Sequence, residues 1–186
     1  MALSQIIGFD DFPFSRSDRG DISIVGTVFS GTRLEGVLRG KIRRDGANSA
    51  KEIARLVSTS KFAPQVQLIM LQGIAMAGFN VVDAHWLHKT LEIPVLIVAR
   101  KYPVMDGIRD ALMTKVRGGK RKWSLIESLG EMEACEKVFI QRVGLDFLEA
   151  RDVIRRTTIY GHIPEPLRHA HLIAGGIATG QSRGRT

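Results

Sequence analysis

The stretch Val66–Lys101, VQLIMLQGIAMAGFNVVDAHWLHKTLEIPVLIVARK, constrains the fold more than any other part of the chain. Within it two short apolar runs, Val66–Leu71 and Ile93–Ala99, flank a segment with helical spacing, both rich in Val, Ile and Leu with little polar alternation. Strands read this way when both faces are buried, as in a parallel sheet. Between them Phe79, Val82, Trp86 and Leu87 recur at steps of three and four, which predicts a helix with one apolar stripe. The unit is then strand, glycine-rich loop, helix, strand, a crossover of the right-handed kind. Its loop, Gln72–Gly78, leaves the carboxyl end of a strand, where open α/β sheets place their chemistry.

The rest of the chain can be set around this unit. Gln5–Phe9 predicts a first strand that ends at Asp10-Asp11, and Ile22–Phe29 a second. In Arg33–Arg43, apolar residues and glycines alternate with Glu35, Arg39, Lys41 and Arg43, the pattern of an antiparallel strand with one wet, basic face. Asp45-Gly46 ends this meander, and Asn48 or Ser49 can cap a helix over Ala50–Ser58. After the crossover unit the periodicity predicts helices over Met105–Val116 and Leu125–Glu136. A last strand over Val138–Val143 and helices over Leu145–Arg155 and Leu167–Ala178 follow. This order predicts an α/β protein with a ribonuclease H-like mixed five-stranded sheet. Three antiparallel strands precede parallel ones, helices flank the sheet, and extra helices close the chain. Fold alone does not give function. With 186 residues, 44% of them hydrophobic, the chain reads as one domain, residues 1–186, with a basic tail, residues 180–186, expected to be disordered.

No apolar run reaches the ~20 residues of a membrane span, and the start lacks the pattern of a secretory signal. The single cysteine, Cys135, excludes an internal disulfide and suits a reducing cytoplasm, the expected location. The net charge of +8 favours a polyanionic partner, nucleic acid first. Lys115, Arg117, Lys120, Arg121 and Lys122 fall within eight residues without an acid, around Gly118-Gly119 and directly before Trp123. A flexible basic loop beside an aromatic can hold phosphates and stack on a base. A solvated loop beside a core tryptophan is the competing reading.

Acids at strand and helix ends are the candidates for chemistry. Asp10 and Asp11 end the first strand, Glu52 stands early in the first helix, Gln72 ends the fourth strand, and Asp83 falls one to two turns into the next predicted helix. Converging carboxylates bind Mg²⁺ or Mn²⁺, hard ions that prefer oxygen. Asp10 as a loop cap and Glu52 in solvent are the plain alternatives. The pairs His85/His88 and His169/His171 have no cysteine cluster or HExxH beside them, so a zinc site is not expected.

Three segments together resemble one family. They are Ile7-Gly8-Phe9-Asp10-Asp11; Leu71-Gln72-Gly73-Ile74 with Ala77-Gly78-Phe79-Asn80-Val81-Val82-Asp83; and Pro164-Glu165-Pro166-Leu167-Arg168 with Ala170-His171-Leu172-Ile173-Ala174. On them the chain is identified as a member of the endonuclease dU family, mostly archaeal and distantly related to endonuclease V. The resemblance implies a Mg²⁺- or Mn²⁺-dependent endonuclease of DNA repair, acting on deaminated or damaged bases such as deoxyuridine or inosine, with DNA favoured over RNA. Asp10 and Glu52 would hold the metal, with the Gln72 position as third ligand. Asp11 or Asp83 would assist, and His171 matches the family's C-terminal motif and can shuttle a proton. Arg100, with Lys101 beside it, matches a basic residue at a strand end and would grip phosphates with Lys115–Lys122. Two positions depart from the pattern. Gln72 stands where the family usually has aspartate, so the site loses a full negative charge, and Gln181 stands where relatives tend to have glutamate. The alternative is therefore a non-catalytic nucleic-acid-binding protein on the same fold, and a third reading is a scaffold whose basic character is incidental.

Overall fold

A computed structural model describes residues 2–182. Seven strands form one mixed sheet: β1 (Gln5–Asp11), β2 (Asp21–Ser30), β3 (Arg33–Arg43), β4 (Leu68–Gln72), β7 (Val95–Ala99), β8 (Glu133–Cys135) and β9 (Val138–Val143), in the order β3-β2-β1-β4-β7-β9-β8. β5 (Ala75–Met76) and β6 (Asn80–Val81) make a separate small hairpin. The helices are α1 (Ser49–Ser58), α2 (Ala84–Leu91), α3 (Met105–Lys115), α4 (Gly119–Glu127), α5 (Phe147–Thr157) and α6 (Glu165–Thr179).

The meander β1-β2-β3 is antiparallel, and β4 pairs parallel to both β1 and β7, as the buried apolar runs require. β9 returns antiparallel to β7, and β8 pairs with β9. The sheet thus carries two strands beyond the five of the expected core: β9, at the bounds predicted for the last strand, and β8, which was not expected. β8 was hidden inside the helix predicted over Leu125–Glu136. α4 stops at Glu127, Gly130 adopts a left-handed φ of 73°, and Cys135 turns through Glu136 and Lys137 to pair with Val138. The Arg142–Glu133 ion pair, 2.8 Å, fastens this edge.

The helix expected from Phe79 to Leu87 is shorter. Ala77 and Gly78 both take positive φ, 46° and 81°, and turn the chain into the β5–β6 hairpin. Asp83 then caps α2, its carboxylate accepting from the Trp86 N–H at 2.9 Å. The stripe is split accordingly: Leu87 is buried, whereas Trp86 is exposed.

The sheet separates two cores. One gathers Ile7, Phe9, Ile24, Ile69, Leu71 and Ile97 with Ile53 and Val57 of α1 and Leu87 of α2. The other gathers Ile6, Leu68, Met70, Leu96, Val98 and Ile140 with Val153 and Ile154 of α5 and Leu167 of α6. The chain's carboxyl end is seated by contact at Gly8. A Cβ there would lie 2.6 Å from the Pro166 carbonyl carbon, so only glycine admits this approach. Thr27, paired with Gly8 across β1–β2, donates its hydroxyl to the Pro166 carbonyl at 2.6 Å. Residues 183–186 of the expected tail lie outside the described residues. Gly180–Ser182 closes α6: Gly180 is its left-handed C-cap, and the Ser182 hydroxyl donates to the Leu172 carbonyl at 2.6 Å.

Candidate active site

The joint at Gly8 fixes where α6 crosses β1, and so brings His171 to Asp10. Nδ1 of His171 lies 3.0 Å from Oδ2 of Asp10, which is 5% exposed. That contact, with the added charge of Asp11, holds the imidazole pKa above its ordinary value. Asp11 follows on the strand and so points to the other face. Its backbone N–H donates to Asp10 Oδ1 at 2.9 Å, and its own Oδ2 accepts from the Ala77 N–H at 2.5 Å. Burial, then the neighbouring Asp10 charge, push the Asp11 pKa up to about 6.

Gln72 completes this corner. β1 and β4 are in register at Phe9 and Leu71, so the next residues, Asp10 and Gln72, stand side by side on one face. Gln72 Oε1 is buried and has no hydrogen-bond partner among the described residues. Such an orphaned acceptor calls for an explanation. The Asp10 carboxylate and the Gln72 amide carbonyl are oxygen donors, which fit a hard divalent cation.

Glu52 is elsewhere. Its carboxylate is gripped by Arg55 through two bonds of 2.7 and 2.9 Å, which lowers its pKa, and it accepts from the Lys41 N–H at 3.4 Å. It covers Gly40, which faces Ile24 and through it Asp11. Glu52 therefore shares Asp11's face of the sheet and not Asp10's, two strands away. The pairing of Asp10 with Glu52 expected from sequence is not formed. Among the described residues no group of three or more His, Cys, Asp and Glu side chains is placed to hold a metal ion. Asp83 is spent on the α2 cap.

The basic segment also differs from expectation. Lys115 ends α3 and Gly118-Gly119 opens α4, so Lys120, Arg121 and Lys122 belong to a helix and not to a flexible loop. Gly119 is needed for contact, since an added Cβ would run into the Leu112 carbonyl. Lys115, Arg117, Lys120 and Arg121 are exposed, as are Arg100 and Lys101 just beyond β7. Lys122 is 4% exposed, and its Nζ donates to the Asp45 carbonyl at 2.5 Å. Asp45 in turn accepts from the Phe79 N–H at 2.8 Å, and its N–H donates to the Ala77 carbonyl at 2.9 Å. Lys122, Asp45 and Ala77 thus link α4 to Asp11, a connection that sequence reasoning missed. Its signals were a lysine beside Trp123 in an apolar stripe and an Asp-Gly turn. Of the remaining histidines, His85, His88 and His169 are engaged with backbone carbonyls at 3.0–3.1 Å, which agrees with their reading as hydrogen-bonded residues.

The mixed sheet flanked by helices has an endonuclease V-like fold. The fold is similar to endonuclease V of Bacillus subtilis (TM-score 0.63, 11% identity, covering 95% of this chain and 81% of that one). It is also similar to endonuclease V of Ciona intestinalis in complex with a 24mer DNA containing an inosine followed by a ribo-adenosine (TM-score 0.62, 14% identity, 95% and 87% covered). The chain belongs to the endonuclease dU family, which it matches over residues 3–178. It is 52% identical over 183 residues to a UPF0215 protein of Deinococcus radiodurans, covering 98% of this chain and 93% of that one. A crystal structure of a protein of unknown function from Archaeoglobus fulgidus superposes with a TM-score of 0.86 at 32% identity, covering 94% of this chain and 98% of that one. Relatives occur in both archaea and bacteria.

Proposed function

We propose that this protein is a divalent-metal-dependent endonuclease acting on nucleic acid with deaminated bases. The observation that carries the reading is the corner where Asp10, bonded to His171 and to the Asp11 N–H, stands beside Gln72, whose buried carbonyl has no partner among the described residues, in a chain of the endonuclease dU family. Asp10 and Gln72 would hold Mg²⁺ or Mn²⁺, with the Asp11 charge beside them. Such an ion, when bound, activates a water and stabilises the leaving oxygen of a phosphodiester. His171, oriented through Nδ1 by Asp10, keeps Nε2 for a proton on the substrate side. Asp10 keeps His171 charged to a higher pH than a free imidazole. Arg100, Lys101, Lys115, Arg117, Lys120 and Arg121 supply cations for phosphates. Lys122 is not among them, and Glu52 stays with Arg55. DNA is favoured over RNA because the Ciona endonuclease V was solved on an inosine-containing DNA. A cytoplasmic setting agrees with the free thiol of buried Cys135. Among the described residues no helix is long and apolar enough to cross a membrane.

The neutral Gln72 favours a second reading, in which the same surface binds nucleic acid without cutting it. Strand nicking separates the two. Wild type is incubated with uracil- and inosine-containing strands across Mn²⁺ and Mg²⁺ concentrations, beside Asp10→Asn and a chelator control. The endonuclease reading expects metal-dependent nicks that Asp10→Asn abolishes. Tight binding with no nick at any metal concentration leaves the binding-only reading. Nicking that survives both chelation and Asp10→Asn removes the assigned site.

A further inference from the structure

Beyond the acid corner, α3 and α4 pack together on the β5–β6 hairpin, around Val81, Leu112 and Ile126. Between them and the segment after β7 lies a groove of about 580 Å³, lined by Tyr102, Val104, Met105 and Trp123 with Asp106, Glu127 and Glu131 at its edges. This is within the roughly 300–1,000 Å³ span of small-molecule sites. It opens at the carboxyl end of β7, which pairs with β4 at Gln72 and Val98, so it shares a sheet edge with the acid corner.

We propose that this groove is a subsite for one unstacked nucleobase of a single strand, with Tyr102 and Trp123 as its aromatic walls. The inference rests on the nucleic-acid reading above and adds where a base, as opposed to a phosphate, is held. Three observations select the occupant. First, the walls are fixed before anything binds. Tyr102 meets Phe139 edge-to-face at 5.4 Å, and the Arg109 guanidinium lies 5.9 Å from the Trp123 ring centre. Rigid aromatic faces take a base at low entropic cost. Second, the surface is apolar where nothing in the chain needs it to be. Val104 is 77% and Tyr102 47% exposed. Third, the charges are sorted. Asp106, Glu127 and Glu131 at the rim repel phosphate and accept from the N–H groups of a base edge. The exposed cations Lys101, Lys120 and Arg121 on the flanking elements suit the strand's phosphates.

The test uses the whole chain in chelator with a short single-stranded DNA carrying one 2-aminopurine. Anisotropy of an end label reports binding, and 2-aminopurine emission reports stacking on a protein aromatic. Binding by wild type with quenched emission is expected. Tyr102→Ala and Trp123→Leu should each weaken binding by about 5- to 100-fold and restore emission. Tyr102 lies on the surface, so its replacement tests the groove even where Trp123→Leu unfolds the protein. Binding with emission unchanged, or quenching that persists in Tyr102→Ala, overturns the subsite and leaves the nucleic-acid reading standing. No binding at all in low salt removes both. A dimer of the free protein that Tyr102→Ala dissolves would mean that a second copy covers the groove, which also overturns the proposal.

Discussion

The Nζ of Lys122 donates a 2.5 Å hydrogen bond to the backbone carbonyl of Asp45, 77 residues earlier in the chain. A cation in a run of five, placed to meet phosphate by its sequence context, instead ties α4 to the loop before α1. Burial lowers its pKa, and the carbonyl supplies the polar contact that its ammonium requires. Lys122→Met should therefore cost about 1–3 kcal/mol of stability, the usual range for leaving a buried polar partner unmatched. Urea midpoints against Lys120→Met, which is exposed and expected to be nearly neutral, check this.

The same contrast should appear in salt dependence. Each phosphate contact adds roughly 0.7–0.9 to the slope of log affinity against log salt. Removing Arg117, Lys120 and Arg121 together should flatten that slope for a single-stranded DNA. Lys122→Met should leave it unchanged. Fluorescence anisotropy at a series of salt concentrations reads both, and equal flattening by the two variants would contradict the burial of Lys122.

Gln72→Asp should raise metal affinity and nicking, because it restores a charge beside Asp10. A change of ~10–100-fold is the typical scale for substitutions around a metal site. Asp10→Asn in the same background should cancel the gain. Calorimetric titration with Mn²⁺ measures affinity independently of cleavage. Strong wild-type cleavage that Gln72→Asp leaves untouched would place Gln72 outside the metal shell.

Asp11 makes stability depend on pH. Its pKa is about 6 in the folded protein, against about 3.9 for a free aspartate. Between these values the unfolded chain gives up the proton more readily, so folding stability falls as pH rises from 4 to 6 and is flat beyond. Asp11→Asn removes this loss and keeps an oxygen for the Ala77 N–H. In chelator it should stabilise by about 1–2 kcal/mol at pH 7, discounted for partial exposure, and not at pH 3.5. His171 runs the other way: its pairing with Asp10 stabilises fully below pH ~6.5 and is lost as pH rises through its higher folded pKa. Melting in denaturant at the two pH values, for wild type and Asp11→Asn, decides.

Gly8→Ala should be among the most damaging small substitutions. The new Cβ would stand 2.6 and 2.8 Å from the carbonyl carbon and oxygen of Pro166, forcing α6 off β1 and His171 away from Asp10. Overpacking of this kind costs about 1–3 kcal/mol. Gly107 in α3 is the control, since a Cβ there meets only Val104 Cγ1 at 3.6 Å. Gly107→Ala should stabilise by roughly 0.5–1 kcal/mol, the helix preference of alanine over glycine.

The sequence by itself determined the elements whose pattern is local. Alternation over Arg33–Arg43 and the unbroken apolar runs before Gln72 and Ala99 state how many faces of each strand are buried, and the strands follow at nearly the expected bounds. Asp10-Asp11 at the end of β1, Gln72 at the end of β4 and His171 on the last helix were legible for the same reason, with the family motifs around them. Tertiary structure decided everything that depends on faces and crossings. Whether Glu52 meets Asp10 depends on which side of the sheet α1 covers, and pairing through Gly40, Ile24 and Asp11 puts Glu52 on the other side. Whether Lys122 meets solvent depends on how α4 lies over the Asp45 loop. β8 carries only three residues, too few for a period to show, and exists because β9 offers it an edge. Hydrophobic periodicity records burial along one element, whereas a site is made where elements distant in sequence touch, and only packing fixes those contacts.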